Sequence, residues 1–338
     1  MTSTESPGTD KNKTGFMSRY LHGIAAFASK NGLLVTLLLF MAVVAAVKPS
    51  IVRWSSIEGI IRQSTDVAVI VFPLALLVIA GSIDLSVGSV AAFSAIVMAM
   101  AGEQFGFPVG IVAGLLTGAT IGAINGLLVG YLGLHPVVAT LGGLALWRGA
   151  ALLVTDAQTL GMGLVPDAVL DFGIGLRHIA FLPLHLYVLL VTYLVCWGLA
   201  HTHTFGERLF AVGGDEKTAY LVGINVRRIK FLAHVLTGVG ASLSGLMMFI
   251  RSGAVHGADG NGLEFRALTI VLLGGISFYG GFGKLKGVIT ALFFMSFLRH
   301  ALVLLRTPLY LQHMASGIVI IVALYIDSIL TRRAELGS

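Results

Sequence analysis

Two short polar stretches interrupt the apolar runs of this chain, and they are where it could contact a polar solute. Residues 80–89 (AGSIDLSVGS) carry Asp84 and Ser86, whose oxygen atoms could cap the following helix by accepting from its free N–H groups. Residues 273–283 (LGGISFYGGFG) carry Ser277 and similar glycine punctuation. In transporters, glycine-interrupted segments at corresponding places in the two halves of the chain indicate a substrate path between two structural repeats. An internal repeat in this chain is therefore a hypothesis.

Further polar side chains lie inside apolar runs. Asn125 needs a hydrogen-bond partner within the bundle, because an unpaired buried amide is costly. Arg148 would cost roughly 2.5–3.5 kcal/mol at the centre of a membrane, so it should face protein or water. It could line a pathway, reach the outer interface or pair with Asp156. Arg299 and His300, near the outer end of their segment, should extend to the interface.

The motifs of several enzyme classes are absent from the sequence. The Gly-Lys pair at 283–284 has Phe278 where a P-loop needs its first glycine, so the chain cannot hydrolyse ATP through a P-loop. No HExxH or GxSxG occurs, and His201 and His203 lack acidic or cysteine companions for a metal. The single cysteine, Cys196, excludes an internal disulfide. We therefore expect no cofactor and no enzymatic activity.

The composition places this chain in a membrane. Hydrophobic residues make up 56% and charged residues 11%, whereas about a quarter of the residues of a soluble domain are charged. Alternating segments of the outer-membrane barrel type are absent. The net charge of +6 comes from bases in short loops beside apolar segments, which does not indicate nucleic-acid binding. The expected fold is an all-α, polytopic transmembrane helical bundle in contact with lipid.

The apolar runs predict 8–10 membrane segments, because some runs are short or broken by glycine. Most Lys and Arg residues then fall on the side of the termini, so both termini and the 201–230 loop should be cytoplasmic. The predicted units are a tail at 1–30 without a cleavage site, a transmembrane domain at 31–330 and a tail at 331–338. The runs lie near 31–48, 59–80, 83–101, 108–131, 135–154, 178–200, 230–250, 266–282, 285–305 and 308–330.

The long polar loop at 201–230 is basic and has a helical pattern of its own. A turn at 213–215 precedes a short apolar face, which predicts an amphipathic helix on the cytoplasmic surface with that face toward a partner. A solvated connector is the alternative. The face consists of Ala219, Leu221, Val222, Ile224 and Val226.

Glycines recur every four residues from 110 to 130. Because a helix turns about every 3.6 residues, each step drifts about 40° around the axis, and the stripe of small residues winds round the helix. Small residues at this spacing predict close helix packing, through Gly114, Gly118, Gly122 and Gly126. A flexible gating helix is the alternative.

Several pieces in a fixed order resemble a known family. From about residue 60 to 325, the chain is similar to the permease subunits of bacterial ABC importers for sugars, of the ribose, xylose and autoinducer-2 type. The pieces are GSIDLSVGS at 81–89, ING at 124–126, HPVVATLG at 135–142, WRG at 147–149, GINV at 223–226, LGGIS at 273–277 and GG at 280–281.

The resemblance implies a subunit that moves a monosaccharide or related polyol across the bacterial inner membrane. Two permeases, identical or paralogous, would form the pore, with cytoplasmic ATPase subunits and a periplasmic sugar-binding protein as partners. A branched-chain amino-acid permease of the same class is the alternative, followed by an ion-coupled secondary transporter. The residues expected to line or support the pathway are Asp84, Ser86, Asn125, Thr140, Arg148 and Ser277, and capping or interhelical hydrogen bonding is the alternative role for each.

The family couples to its ATPase through a loop helix that reads roughly Glu-Ala-Ala, three residues, Gly. Here Lys217 stands at the acidic position, while Ala219 and Gly223 are kept, and a helix at 211–228 would receive the pull of the ATPase. Arg266 stands where relatives often carry an acidic residue. The predicted coupling residues are Gly206, Arg208, Lys217, Ala219, Gly223, Ile224 and Val226.

Overall fold

The structure is a computed structural model that describes residues 32–161, 163–308, 310–312, 314, 317–319 and 321. Within them the chain is almost entirely helical, which confirms the all-α bundle. The helices are α1 Gly32–Val47, α2 Trp54–Ile79, α3 Val87–Phe105, α4 Phe107–Gly126, α5 Pro136–Leu153, α6 Asp167–Ile174, α7 Leu184–His201, α8 Thr204–Gly214, α9 Glu216–Leu221, α10 Val226–Ser252, α11 Leu263–Leu273 and α12 Leu285–Leu304.

Seven of the described helices are long and apolar enough to cross a membrane: α2, α3, α4 with its π-helical extension to Tyr131, α5, α7, α10 and α12. The apolar helix α1 is shorter. The run predicted at 266–282 is not a continuous span, because α11 ends at Leu273 before a glycine-rich turn. The tails at 1–30 and 331–338, and most of the run at 308–330, lie outside the described residues. The orientation of the termini stays a prediction.

Helix α2 is the centre of the bundle. From Ser64 to Ile79 every residue is buried. A helix that is apolar on all sides belongs inside the protein rather than at its surface. Helices α7, α10, α11 and α12 surround it. Polar groups on α2 therefore face other helices.

The glycine ladder of α4 lies between two neighbours, α3 and α10. A Cβ atom on Gly110 would come within 2.9 Å of the Gly102 Cα of α3, and one on Gly118 within 2.5 Å of the Gly238 carbonyl oxygen of α10. Near the end of α4, a Cβ on Gly126 would lie 2.9 Å from the Phe231 Cα. The winding stripe thus contacts α3 first and α10 afterwards, at distances that no side chain would permit.

The connection after α5 lies against the connection after α10. Leu160 and Val255 exchange two backbone hydrogen bonds of 2.9 Å, which tie the connection after α5 to the one after α10. A small antiparallel hairpin, β1 His178–Ile179 with β2 Leu182–Pro183, precedes α7.

The single amphipathic helix expected at 211–228 is wrong. Helix α8 ends at Gly214, and Asp215 has an extended backbone whose carboxylate accepts from the Thr218 N–H at 2.5 Å to begin α9. Gly223, at φ +85°, follows the end of α9. Asn225 then caps α10 by accepting from the Arg228 N–H at 3.0 Å. Two caps and a left-handed glycine divide the segment into α8, α9 and the start of α10.

Candidate functional site

The connection between α2 and α3 carries a buried hydrogen-bonded network. Asp84 Oδ1 accepts from the Ser86 N–H at 2.8 Å and from the Ser86 hydroxyl at 2.6 Å. Asn125 Nδ2, near the end of α4, donates to Asp84 Oδ2 at 3.0 Å and to Ser86 Oγ at 2.9 Å. All three residues are buried. The partner that Asn125 was predicted to need is therefore present.

Helix α10 completes this network through His234. Its Nε2 atom lies 3.0 Å from the Ser82 hydroxyl. Its Nδ1 atom lies 3.6 Å from Asp84 Oδ2, which is too long for a hydrogen bond, so Nδ1 is buried without a hydrogen-bond partner among the described residues. We call Ser82, Asp84, Ser86, Asn125 and His234 the closed polar cluster. No motif marks His234, but an ionisable residue in an apolar run is the signal that indicates such a site.

The expected capping of α3 by Asp84 and Ser86 is wrong. Ser86 is the N-cap residue of α3, yet its side chain makes no capping bond. Its hydroxyl donates to Asp84 instead, and Asp84 accepts from Ser86 itself rather than from the first turn of α3. The Asp84 carboxylate accepts from the N–H and the hydroxyl of Ser86 and from Asn125. It therefore satisfies more donors in this position than it would as a cap of α3.

A second polar site lies nearer the start of α2, at the end of α10 that is far from α9. A cavity of about 580 Å³ opens among α2, α10, α11 and α12. Arg251 Nη2 pairs with Asp66 Oδ2 at 2.8 Å, while Arg266 and Arg299 have no ion pair within the described residues. We call this space, lined by Gln63, Asp66, Arg251, Arg266 and Arg299 among others, the arginine cavity.

The expectation that Arg299 and His300 extend to the interface stays a prediction. Arg299 is exposed and also lines the arginine cavity. The ring nitrogens of His300 are buried without a partner among the described residues. A Cβ on Gly59 of α2 would lie 3.3 Å from the His300 Cε1 atom. Both side chains point toward α2 because α12 packs against it.

The pairing of Arg148 with Asp156 is wrong, whereas its reach to the outer interface stays a prediction. Its Nη1 atom donates to the Gly257 carbonyl oxygen at 2.7 Å and to the Asp259 carbonyl oxygen at 2.6 Å. The guanidinium thus holds the loop between α10 and α11 against α5 and does not pair with Asp156. A role in the pathway stays a prediction.

Glycines from three separate segments meet at the end of α2. The Gly281 N–H donates to the Ile79 carbonyl oxygen at 2.8 Å. A Cβ on Gly280 would lie 2.8 Å from the Gly81 Cα, and one on Gly281 would lie 2.6 Å from the Gly214 Cα. We call Gly81, Gly213, Gly214, Gly280 and Gly281 the glycine junction. It joins the two polar stretches of the sequence to the end of α8.

An exposed apolar patch lies beyond this junction. Tyr220, Leu221 and Val222 are 71%, 81% and 70% exposed at the end of α9. The helices beneath are anchored, since Leu209 and Val212 of α8 and Ala219 of α9 are buried. The hydrogen bond from the Thr218 N–H lowers the pKa of the Asp215 carboxyl, which keeps the α9 cap charged at neutral pH.

Comparison with known proteins matches residues 56–324 to the family model described as "Branched-chain amino acid transport system / permease component". The ribose import permease protein RbsC of Escherichia coli (strain K12) is 30% identical over 87% of this chain and 92% of its own. The chain belongs to the sugar ABC importer permeases. The permease is a multi-pass membrane protein, as its seven candidate spans and its family membership indicate. The family consists of transport proteins and not of enzymes.

Other relatives of the permease carry different names. The D-allose transport system permease protein AlsC of Escherichia coli (strain K12) is 30% identical over 91% of this chain and 94% of its own. The autoinducer 2 import system permease protein LsrC of Photorhabdus luminescens is 31% identical over 75% of each chain. No solved structure matches the permease at a significant level.

The remaining predicted pathway residues of the permease make their hydrogen bonds outside the closed polar cluster. Thr140 is buried and donates to the Pro136 carbonyl oxygen of its own helix at 2.8 Å. Ser277 lies in the turn before the glycine junction, where its hydroxyl accepts from the Tyr279 N–H at 3.2 Å. Hydrogen bonds join Asp84, Ser86 and Asn125 to one another, and within the described residues none joins the other three to them. A pathway role stays a prediction for all six.

The predicted coupling residues of the permease occupy different environments. Arg208 and Lys217 are exposed, whereas Gly206 is buried against the backbone of Ala200 and has no room for a side chain. Ile224 and Val226 are half-buried. The expected apolar face is therefore divided between the core and the exposed patch, and Tyr220 joins the patch although the sequence pattern did not include it.

Proposed function

We propose that this permease forms the pore of an importer in a bacterial inner membrane, with a second copy or a paralogue. A cytoplasmic ATPase subunit drives it and a periplasmic binding protein delivers the solute. The solute is a monosaccharide or a related small polyol. The observation that carries this proposal is the exposed apolar patch at 220–222, held on the anchored helices α8 and α9, of which α8 reaches the end of α2.

The patch has the properties of a docking site. Three consecutive large apolar side chains more than two-thirds exposed are unusual outside a lipid-facing helix, and they lie in a polar loop between spans. Basic residues nearby, Arg227 and Arg228, favour the cytoplasmic side for this loop. A partner that covers the patch gains free energy from the burial of its apolar area.

Movement of the patch can reach the core of the bundle. Helix α8 is fixed by buried Leu209 and Val212, and its end at Gly213 and Gly214 contacts the last residues of α2 without intervening side chains. Packed backbones of this kind move as a unit rather than deforming. An ATPase that holds the patch differently in its two states would therefore shift α2, and with it the access to the pathway.

The solute class rests on the relatives. The chain has no P-loop, so ATP-driven transport needs a separate subunit that hydrolyses ATP. The family model carries the name of branched-chain amino acids, but relatives named for ribose, allose and autoinducer 2 cover most of the chain. These names favour a hydroxylated solute over an amino acid.

The test replaces Leu221 with aspartate in the full importer complex. The matched control is Phe181→Asp, because Phe181 is also exposed, at 92%, but lies in the hairpin before α7. The complex is reconstituted in vesicles, and uptake of labelled pentoses, hexoses and hexuronic acids is measured with and without ATP. Leu221→Asp should lower ATP-driven uptake roughly tenfold or more, as loss of a central interface residue does. Phe181→Asp should leave it unchanged.

Two outcomes would contradict the proposal. If Leu221→Asp took up solute at the wild-type rate, the patch would not couple the ATPase to the pore. Accumulation of solute by the permease alone, driven by an ion gradient, would indicate a secondary transporter. Membrane insertion of every variant is checked by its thermal unfolding profile, which should match that of the wild type.

A further inference from the structure

The arginine cavity carries more positive than negative charge. Three guanidinium groups, those of Arg251, Arg266 and Arg299, line it together with one described carboxylate, that of Asp66. Asp66 is already paired with Arg251 at 2.8 Å. In the part of the chain that the structure describes, no carboxylate lies within ion-pair distance of Arg266 or Arg299. About two positive charges therefore remain uncompensated.

The neighbouring carboxylate does not neutralise them. Glu264 is buried and precedes Arg266 by two residues, but it is not one of the residues that line the cavity. Its Oε1 atom accepts from the Gly262 N–H at 3.2 Å, and a Cβ on Gly88 of α3 would lie 3.4 Å from its Cδ atom. The cavity is thus built with an excess of cations rather than with pairs.

Several polar atoms around the cavity are buried without a partner among the described residues. They are Arg266 Nε, which is a donor, and Gln63 Oε1 and Asp66 Oδ1, which are acceptors. Asp66 itself is 95% buried. A buried donor or acceptor without a partner costs roughly 1–3 kcal/mol, so a ligand that pairs with these atoms would recover that free energy. The ligand must accept from the arginines and donate to Gln63 and Asp66.

We propose that the arginine cavity binds a small polyol that bears an oxyanion, of the sugar-acid class. The oxyanion lies at Arg266 and Arg299, because guanidinium groups bind carboxylate and phosphate with paired N–H donors. The hydroxyl groups donate to Asp66 Oδ1 and Gln63 Oε1. A volume of about 580 Å³ is within the range of small-molecule sites. That this ligand is also the transported solute rests on the proposed function.

The binding test uses the full permease in lipid nanodiscs and thermal unfolding as the readout. D-Glucuronate is compared with an equal concentration of D-glucose supplemented with sodium chloride to the same ionic strength. Glucuronate should raise Tm, because a ligand that binds the folded state stabilises it, and glucose should not. An equal shift with both sugars would overturn the proposal.

Variants then locate the site. Arg266→Gln with Arg299→Gln should abolish the glucuronate shift, and Arg53→Gln, a change of an exposed arginine at the start of α2, should retain it. If the double variant does not fold, Arg266→Lys is measured instead. It keeps the charge but loses the paired donors, and its shift should be smaller than in the wild type. A full shift in either variant would overturn the proposal.

Two further ligands separate the sources of the oxyanion. A shift with glucose 6-phosphate that exceeds the glucuronate shift would support the cavity and assign it to phosphorylated polyols. A full shift with inorganic phosphate alone would overturn the requirement for hydroxyl groups, and with it the proposal.

Uptake by the assembled importer separates this inference from the proposed function. Fast ATP-driven uptake of glucose that glucuronate does not inhibit would overturn the inference and leave the importer intact. Binding of glucuronate by a permease whose uptake does not depend on an ATPase would overturn the importer and support the cavity. Faster ATP-driven uptake of glucuronate than of glucose would support both.

Discussion

The closed polar cluster and the arginine cavity both place ionisable residues among apolar helices, but they satisfy them in different ways. In the cluster, Asp84 has donors from Ser86 and Asn125 on both carboxylate oxygens. In the cavity, Asp66 has one oxygen paired with Arg251 and the other without a partner among the described residues. The first carboxylate is enclosed by its own protein, and the second faces an open volume.

The difference separates a structural role from a binding role. Polar groups inside a membrane are costly unless they are paired, so a network that closes on itself can hold helices in register. The closed polar cluster, in which both Asp84 oxygens are paired although His234 Nδ1 is without a partner among the described residues, does this for α4, α10 and the connection after α2. A network left open, with arginines in excess, leaves its pairing to a ligand. Stability should therefore depend on the first site and binding on the second.

The strongest test of this comparison replaces each carboxylate with alanine. Asp84→Ala leaves the donors of Ser86 and Asn125 buried without an acceptor, and it should lower the free energy of unfolding by about 3 kcal/mol. Asp66→Ala removes the partner of Arg251, which is 41% exposed and can be solvated, and it should cost about 1 kcal/mol or less. Unfolding in mixed detergent micelles by titration with dodecyl sulfate measures both values.

If Asp84→Ala and Asp66→Ala lowered the free energy of unfolding equally, the two sites would not differ in their structural role. Asp84→Asn is the control for shape, because it keeps the volume and removes the charge. Its loss of unfolding free energy should be smaller than that of Asp84→Ala, since the amide oxygen still accepts from Ser86.

The next test compares two amides. Asn125→Leu removes two donors from the closed polar cluster and should cost about 2 kcal/mol. Gln63→Leu removes an amide whose Oε1 atom has no partner in the described part of the chain, and it should change stability by no more than about 0.5 kcal/mol. The same titration measures both. A larger loss for Gln63→Leu than for Asn125→Leu would show that the cavity is also structural.

A smaller effect is expected from two buried serines. Ser82→Ala removes the hydroxyl that contacts His234 Nε2 at 3.0 Å, and it should cost about 1 kcal/mol. Ser94→Ala is the matched control, because its buried hydroxyl has no partner among the described residues, and its loss should stay within about 0.5 kcal/mol. If the two losses agree, the contact between Ser82 and His234 contributes nothing measurable.

The sequence predicted the membrane bundle because long apolar runs have few other solutions. The seven candidate spans follow those runs, and the exception at 266–282 arises where glycines end α11. The need of Asn125 for a partner was also readable from the sequence, since a buried amide requires one. The identity of that partner was not, because Asp84 is forty-one positions away and the register of α4 against α3 decides which atoms meet.

The arginine cavity could not be predicted from the sequence for a related reason. Arg266 stood out as a departure from relatives, but its position beside Arg251 and Arg299 depends on how three helices pack. The division of the 201–230 loop depends on Asp215 and Gly223, whose roles as cap and helix end compete with a continuous amphipathic pattern. Periodicity alone does not decide between those roles.

A third carboxylate, that of Asp215, is exposed to solvent and should contribute least to the free energy of unfolding. Asp215 accepts from the Thr218 N–H, which lowers the pKa of this exposed carboxyl, so its contribution is present at neutral pH and is lost as the pH falls through that lowered pKa. Asp215→Ala should reduce the hydrogen-exchange protection of α9 at pH 7, while Asp215→Asn, which keeps an accepting oxygen, should retain most of it. Global unfolding should be unchanged in both, because the cap lies outside the buried core. A loss of global stability comparable to that of Asp84→Ala would mean that burial does not distinguish the carboxylates of this protein, and the contrast between its two internal sites would lose its physical basis.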